Sequence, residues 1–246
     1  MFKTLIDAGL TLKLSKCVFA KREINFLGFT IGQRKIRPNG DKVCALERLS
    51  EPVTKKGVRS ILAMFRYYHA HIPHFSEIAL PLTELTKKKF SNAVELNEEQ
   101  RSALQSLKDT LVKAKVLYVP RYDRKFVIMC DSSQFTVAGV LSQFDDNGLE
   151  HPSLFASKKL TPTQVNWSAV EKEAFAVIFS LSTFDVYIFG SEIEIFTDHN
   201  PLTYLASSST SSAKLMRWYL TIQRYNIKII HKAGKLNVVA DCFSRV

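Results

Sequence analysis

The order of hydrophobic patterns after residue 120 is the feature that most constrains how this chain can fold. Apolar or alternating runs predict three successive strands, an amphipathic helix, a fourth strand, a helical stretch, a fifth strand and a last helix. These elements cover 125–131, 136–143, 151–157, 168–184, 192–197, a short helix near 201 and a longer one over 213–225, then 226–231 and a helix from about 237. This order predicts an α/β architecture, in which a five-stranded mixed sheet carries helices on its faces.

The first 120 residues follow a different pattern. Strand-forming residues over 13–37, interrupted by Gly28 and Gly32, predict one or two antiparallel hairpins. Helical periodicity over 39–49, 54–72, 77–85 and 98–115 predicts a small helical unit, with Thr54 and Asn97 as N-caps. We therefore divide the chain into a hairpin segment (1–38), a helical unit (39–120) and an α/β domain (121–246), which makes the whole molecule α+β.

Composition excludes several classes of protein. A hydrophobic content of 46% with only 9 Gly and 8 Pro is typical of a globular chain. No run approaches the roughly 18 apolar residues of a membrane span, so we expect an intracellular chain, in a compartment that the sequence does not identify, without a membrane partner. The four cysteines form no C-x-x-C pair, and neither a disulfide framework nor a zinc site is indicated.

The net charge of +11 is distributed unevenly. Residues 1–120 hold 21 Lys and Arg against 11 Asp and Glu, whereas residues 121–246 hold 13 against 12. A basic half favours a polyanionic partner, because each cation near a phosphate releases counterions and adds affinity that is independent of base sequence. The alternative is a basic surface that only keeps the chain soluble.

Acidic residues in the α/β domain suggest a cation site. Asp131 and Asp198 each close an apolar strand, and ligands of open α/β sheets gather at the carboxyl ends of strands. Glu171 or Glu173 from the long helix and Asp241 from the last helix are further candidates, and periodicity does not choose between the two glutamates. Hard oxygen ligands without His or Cys favour Mg²⁺ or Mn²⁺. Alternatively, each aspartate only caps a turn.

Several motifs of the α/β domain resemble one family. They are Cys-Asp-Ser-Ser at 130–133 with Val-Ala-Gly-Val-Leu-Ser-Gln at 137–143, Phe-Ala-Ser-Lys-Lys-Leu at 155–160, Glu-Lys-Glu-Ala-Phe-Ala at 171–176, Thr-Asp-His-Asn-Pro-Leu at 197–202, and Ala-Gly-Lys-Leu-Asn-Val-Val-Ala-Asp at 233–241. Their order and spacing resemble the ribonuclease H domain of gypsy-type LTR retrotransposon Pol polyproteins. The resemblance covers essentially all of 121–246 and implies a ribonuclease H-like sheet.

The resemblance also implies a chemistry. The catalytic acids of the family bind two Mg²⁺ ions, for which Mn²⁺ can substitute, and they match Asp131, Glu173, Asp198 and Asp241. The resemblance therefore selects Glu173 over Glu171. Two such ions would hold the scissile phosphate of the RNA strand in an RNA/DNA hybrid. By the same resemblance, Asn200 and His231 are candidate nucleic-acid contacts.

The first 120 residues resemble the end of the reverse transcriptase palm, followed by the thumb and connection. Phe26, Leu27 and Gly28 match the hairpin that carries the primer grip. The resemblance places a thumb helix beside the template-primer duplex, and its candidate phosphate contacts are Lys55, Lys56, Arg59 and Arg66. An A-form-like duplex is held mainly through its backbone and shape, which such cations suit.

These features predict an endonuclease that cleaves the RNA strand of a hybrid, with the rest of a Pol polyprotein as a further partner. Polymerase activity is not expected from this chain, because the only Asp-Asp pair, Asp145–Asp146, lies in a turn and a Tyr-x-Asp-Asp motif would lie upstream of Met1. One alternative is a nucleic-acid-binding fragment that does not cut. Another alternative is that the chain is a subunit beside a full-length polymerase. Domain resemblance alone would then label this chain an RNA-directed DNA polymerase.

Overall fold

The computed structural model describes residues 2–13, 15, 17–114, 116–197 and 212–231. Its helices are α1 (Phe2–Asp7), α2 (Gly40–Glu47), α3 (Lys55–Tyr67), α4 (Phe75–Ile78), α5 (Leu80–Leu85), α6 (Glu98–Val112), α7 (Pro162–Val165), α8 (Ala169–Ile188) and α9 (Ala213–Gln223), with a 3-10 turn at His69–His71. Its strands are β1 (Glu23–Phe26), β2 (Phe29–Gly32), β3 (Lys35–Pro38), β4 (Leu117–Tyr118), β5 (Phe126–Ser132), β6 (Thr136–Phe144), β7 (Glu150–Lys159), β8 (Glu192–Thr197) and β9 (Asn226–His231).

The N-terminal hairpin is part of a small antiparallel sheet. β1, β2 and β3 form a meander, and β4 pairs with β3 through Lys35↔Tyr118 and Ile36↔Leu117. The sequence predicted the hairpin but not the fourth strand, because two residues are too few to show a period. β4 therefore ties the end of the helical unit back to the N-terminal sheet.

The helical unit has a core of its own. As predicted, Thr54 caps α3 by accepting from the Gly57 amide, and Asn97 forms a capping box with Gln100 at the start of α6. Val58, Phe65, Ile72, Leu82 and Leu107 are among its almost fully buried side chains. This packing fixes the positions of α3 and α6, each of which presents an exposed polar face.

The larger sheet has the strand order β7-β6-β5-β8-β9. β6 runs antiparallel to β5 and β7, whereas β8 is parallel to β5 and β9 is parallel to β8, which confirms the predicted five-stranded mixed sheet. α8 packs on one face of this sheet with Val177, Leu181 and Phe184 fully buried. The close approach depends on Gly139, since a Cβ there would lie 2.2 Å from the Ser180 Oγ.

The helical unit packs against the edge strand β7. The Ser76 amide donates to the Ser157 Oγ at 2.8 Å, and Lys159 forms an ion pair with Glu84, which Lys87 shares. Both contacts reach from α4 and α5 to the C-terminal end of β7, so the helical unit lies close to one edge of the larger sheet. No helix among the described residues is both long and apolar enough to cross a bilayer.

Candidate functional site

Asp131 lies near the C-terminal end of β5, the central strand of the larger sheet. The five residues before it in the strand are buried, and Asp131 is the first exposed one. The Cys130 thiol points to α8, where it donates to the Ser180 Oγ at 3.4 Å. Since side chains alternate along a strand, Asp131 points to the other face, where it lines a groove with Pro73 and His74.

Glu173 reaches the same end of β5 from α8. Its side chain is only 6% exposed, and its Oε1 accepts a hydrogen bond of 2.5 Å from the Ser132 hydroxyl. Ser132 directly follows Asp131, so one short stretch of β5 carries one candidate acid and contacts another. Ser132 was not among the residues predicted for the site, although its position beside Asp131 was the signal that could have identified it.

Glu171, the alternative that periodicity left open, has a different role. It is the N3 residue of a capping box with Ser168 at the start of α8, and its Oε1 accepts from the Lys214 ammonium at 2.7 Å. The hydrogen bond from Lys214 is the main cause that lowers the pKa of Glu171. Of the two glutamates, Glu173 is therefore the one beside the end of β5.

The charge at this end of β5 acts on the neighbouring thiol. Burial is the main cause that raises the pKa of Cys130 to about 12; the hydrogen bond to Ser180 opposes this rise, and the carboxylates of Glu173 and Asp131 contribute to it. Cys130 therefore stays protonated at neutral pH and is a poor ligand for a soft metal ion, which binds thiolate. The chemistry here is that of two carboxylates and a hydroxyl.

The rest of the candidate acid set lies outside the described residues. Asp198, Asn200 and Asp241 are not described, and only the backbone of His231 is. That backbone pairs with Thr197, the residue before Asp198, in the ladder between β8 and β9. β8 is in register with β5 up to Phe196↔Met129, so β5 and β8 approach the same edge of the sheet. Within the described ranges, no group of three or more His, Cys, Asp or Glu could hold a metal ion.

The candidate phosphate contacts of α3 differ in their surroundings. Lys55 is 7% exposed, and its ammonium donates to the carbonyl oxygens of Lys87 at 3.0 Å and Phe90 at 2.6 Å. This arrangement argues against a phosphate contact by Lys55, and the sequence could not show it because both partners are backbone atoms of a later loop. Lys56, Arg59 and Arg66 are exposed, although Arg59 also donates to the Thr86 carbonyl at 3.0 Å.

The candidate primer-grip residues form the turn between β1 and β2. Phe26 and Leu27 are 56% and 69% exposed. Gly28 has a φ of +79°, and a Cβ there would lie 2.9 Å from the Tyr68 hydroxyl, so the turn requires glycine. The hydroxyls of Tyr67 and Tyr68 donate to the carbonyl oxygens of Leu27 and Gly28, which holds the hairpin against the end of α3.

Comparison with known proteins identifies one matching family model and several relatives. Residues 121–225 match the family described as the RNase H-like domain found in reverse transcriptase. The whole chain is 37% identical over 246 residues to the Retrovirus-related Pol polyprotein from transposon 297 and 33% identical over 256 residues to that from transposon gypsy, both of Drosophila melanogaster. It is 30% identical over 251 residues to the Transposon Tf2-3 polyprotein of Schizosaccharomyces pombe. The chain spans only 23%, 24% and 19% of these three relatives.

Solved structures of low sequence identity share the fold. A foamy viral protease-reverse transcriptase in complex with RNA/DNA hybrid matches with a TM-score of 0.80 and 23% identity, over 95% of this chain and 32% of that one. The same enzyme in complex with dsDNA gives a TM-score of 0.78 over 95% of this chain and 49% of that one. The likeness therefore extends through the helical unit as well as the larger sheet. Residues 121–225 of this chain carry the RNase H-like domain found in reverse transcriptase, and the homologues of the whole chain are retrotransposon Pol polyproteins of the gypsy and Tf2 type.

Proposed function

We propose that this chain is an endonuclease that hydrolyses the RNA strand of an RNA/DNA hybrid with the help of divalent metal ions. The observation that carries the proposal is the contact, at the end of the central strand, between Glu173 and Ser132, the residue that directly follows Asp131. Asp198, which follows β8 in the sequence, and Asp241 complete the proposed set of four acids. The family match supports the same reaction, and the basic helical unit supports a polyanionic substrate.

The described part of the site fits a hard divalent cation. Its donors are carboxylate oxygens, which Mg²⁺ and Mn²⁺ prefer, and the thiol nearest to them stays protonated. Two acids close to one another repel, and a divalent cation relieves that repulsion. We propose that Asp131, Glu173, Asp198 and Asp241 hold two Mg²⁺ ions, for which Mn²⁺ can substitute.

Each residue has a definite task in this proposal. When bound, the ions would supply an activated water as nucleophile and stabilise the charge on the leaving 3′ oxygen. Asp131 offers an exposed carboxylate at the edge of a rigid strand, and burial restricts Glu173 to few rotamers. The Ser132 hydroxyl donates to Oε1 of Glu173 and so orients the carboxylate towards the end of β5, as outer hydrogen bonds do for metal ligands.

The substrate follows from charge and from the family. A phosphodiester brings negative charge to a site rich in carboxylates, so binding depends on cations elsewhere, and the exposed Lys56, Arg59 and Arg66 of α3 supply them. We propose an RNA/DNA hybrid or template-primer duplex, with the rest of a Pol polyprotein as a further partner. Asn200, His231 and the turn formed by Phe26, Leu27 and Gly28 remain proposed contacts.

The test is cleavage of a labelled hybrid by the purified chain in Mg²⁺. We expect RNA-strand products from the wild type and a loss of at least about 100-fold in Asp131→Asn and Glu173→Gln, the size expected when one essential charged group is removed from a catalytic site. Glu171→Gln is the matched control, because it neutralises a glutamate two residues away that caps the helix and pairs with Lys214. Equal loss in all three variants would refute the assignment.

A nuclease-silent binding fragment or subunit is the second candidate, and the basic half of the chain favours it. It predicts that wild type and Asp198→Asn leave the hybrid equally intact and bind it with equal affinity. We also propose that the chain alone does not polymerise, because Asp145 is held in its turn by accepting from the amides of Asn147 and Leu149. Primer extension by the purified chain would contradict this second proposal.

A further inference from the structure

A cleft lies where the helical unit meets the edge strand β7 and the helix α8. Its cavity volume is about 480 Å³. Arg66 and His69 line it from the helical unit, Lys158 and Lys159 from β7, and Phe179 and Thr183 from α8. Cationic side chains from two separate units thus face one cavity, which neither unit forms alone.

The cations of the cleft are only partly neutralised. Lys159 forms an ion pair with Glu84, but Arg66 and Lys158 form none with any residue in the described ranges. No Asp or Glu is among the described residues that line the cleft. The Lys158 ammonium lies 5.7 Å from the centre of the Phe175 ring, a contact that leaves its N–H donors available. Two exposed cations therefore face the cleft without a counter-charge.

The strand register gives the distance from this cleft to the proposed cleavage site. Lys158 pairs with Val137, and Val137 pairs with Ser132. Since neighbouring strands are about 4.8 Å apart, the backbone of Lys158 lies roughly 10 Å from that of Ser132. Phosphates follow one another at spacings of several ångströms along a nucleic-acid strand, so one duplex can reach both the cleft and the proposed cleavage site.

We propose that this cleft is a phosphate-binding track, in which Arg66 and Lys158 hold the backbone of the duplex near the scissile bond. This proposal takes its substrate, the hybrid duplex, from the proposed function, but it does not require that the chain cleave that substrate. Lys158 belongs to the α/β domain and Arg66 to the helical unit, so a duplex seated here would contact both units at once. The cleft then gives the edge of β7 a role in binding that the acid set does not provide.

The test is the salt dependence of hybrid binding, measured with the full chain in EDTA so that no cleavage occurs. Each lost phosphate contact reduces the slope of log K against log salt by about 0.7 to 0.9, so Arg66→Ala/Lys158→Ala should give a slope shallower by about 1.5. Between about 50 and 200 mM salt, the wild type should then lose about eightfold more affinity than the variant. Arg48→Ala/Lys42→Ala is the matched control, because it removes the same two residue types from exposed positions on and after α2.

The variants also separate charge from folding. Arg66→Lys/Lys158→Arg keeps both charges and should retain the wild-type slope, while circular dichroism confirms that each variant is folded. An unchanged slope in the alanine variant, or an equal change in the control, would overturn the proposal. The binding assay needs no metal ion, so it is independent of cleavage. If the alanine variant gives a shallower slope while the wild type does not cleave the hybrid, the nuclease proposal fails and the phosphate-binding proposal stands.

Discussion

Replacing Gly139 by alanine tests the packing that positions Glu173. Gly139 lies on β6 under α8, and a Cβ added there would lie 2.2 Å from Ser180 Oγ, 3.0 Å from Ser180 Cβ and 3.4 Å from Phe184 Cε2. Ser180 and Phe184 are fully buried, and the Ser180 Oγ also accepts from the Cys130 thiol. The helix must therefore move away from the sheet, because turning the hydroxyl aside still leaves the two Cβ atoms too close.

The expected cost follows from these distances. Overpacking a core typically costs about 1–3 kcal/mol, and two contacts at or below 3.0 Å place this substitution in the upper part of that range. Alanine recovers about 0.5–1 kcal/mol because it reduces the entropy of the unfolded chain relative to glycine. We expect Gly139→Ala to lower the free energy of unfolding by about 1.5 kcal/mol, a shift in Tm of roughly 3–6 °C for a chain of this size.

Activity should fall further than stability. Glu173 lies seven residues before Ser180 on the same helix, about two turns away, so moving α8 outward also moves the carboxylate away from Ser132. A misplacement of about 1 Å at a catalytic site can cost on the order of 100-fold in rate. Urea unfolding measures the loss of stability. The rate of hybrid cleavage, measured at a temperature where the variant is fully folded, gives the loss of activity separately.

A second substitution provides the control. Ser180→Gly removes the two nearest of the three atoms that a Cβ at 139 would meet, at a cost of about 0.5 kcal/mol for glycine in a helix in place of serine. The double variant should be at least about 1 kcal/mol more stable than the sum of the single effects predicts, the coupling expected of residues in contact. Gly139→Ala within about 0.3 kcal/mol of the wild type, or no recovery in the double variant, would show that the distance between sheet and helix is wrong.

Two further predictions concern single contacts. Ser132→Ala should weaken Mn²⁺ binding, measured by electron paramagnetic resonance on the chain without nucleic acid, by about 10-fold, whereas Ser132→Thr should not; equal binding by the alanine variant would mean that the hydroxyl does not orient Glu173. Hydrogen bonds from Lys159 and, to a smaller extent, Lys87 lower the pKa of Glu84. The contribution of ionised Glu84 to the free energy of unfolding is therefore present above the pKa of the unfolded chain and is lost as pH falls through the pKa of the folded chain. A double-mutant cycle of Glu84→Gln and Lys159→Met should therefore give a coupling of about 0.2–1 kcal/mol at pH 7 that disappears in acid, and a coupling that persists there would contradict this.

The local interactions of the fold were largely predictable from the sequence. Thr54 and Asn97 were expected as helix caps and are, because a cap involves only residues within three positions. The turn at Asp145–Gly148 was expected for a similar reason, and Gly148 has a φ of +75° there. The two-residue strand β4 was not predicted, because only its partner β3 makes it a strand.

For the candidate site, the sequence by itself determined which acids close apolar strands and that their oxygen ligands suit Mg²⁺. Periodicity left Glu171 and Glu173 equivalent, because each lies on an opposite edge of one apolar stripe, and only the resemblance to the family favoured Glu173. The tertiary structure shows how their surroundings differ, since only the packing of α8 on β5 brings Ser132 to Glu173 and leaves Glu171 with Lys214. The tertiary structure also brings the Lys55 ammonium into hydrogen bonds with two backbone carbonyls, and it places Arg66 and Lys158 in one cleft. Periodicity reports which face of an element is buried, whereas a contact between elements far apart in the chain exists only once they pack.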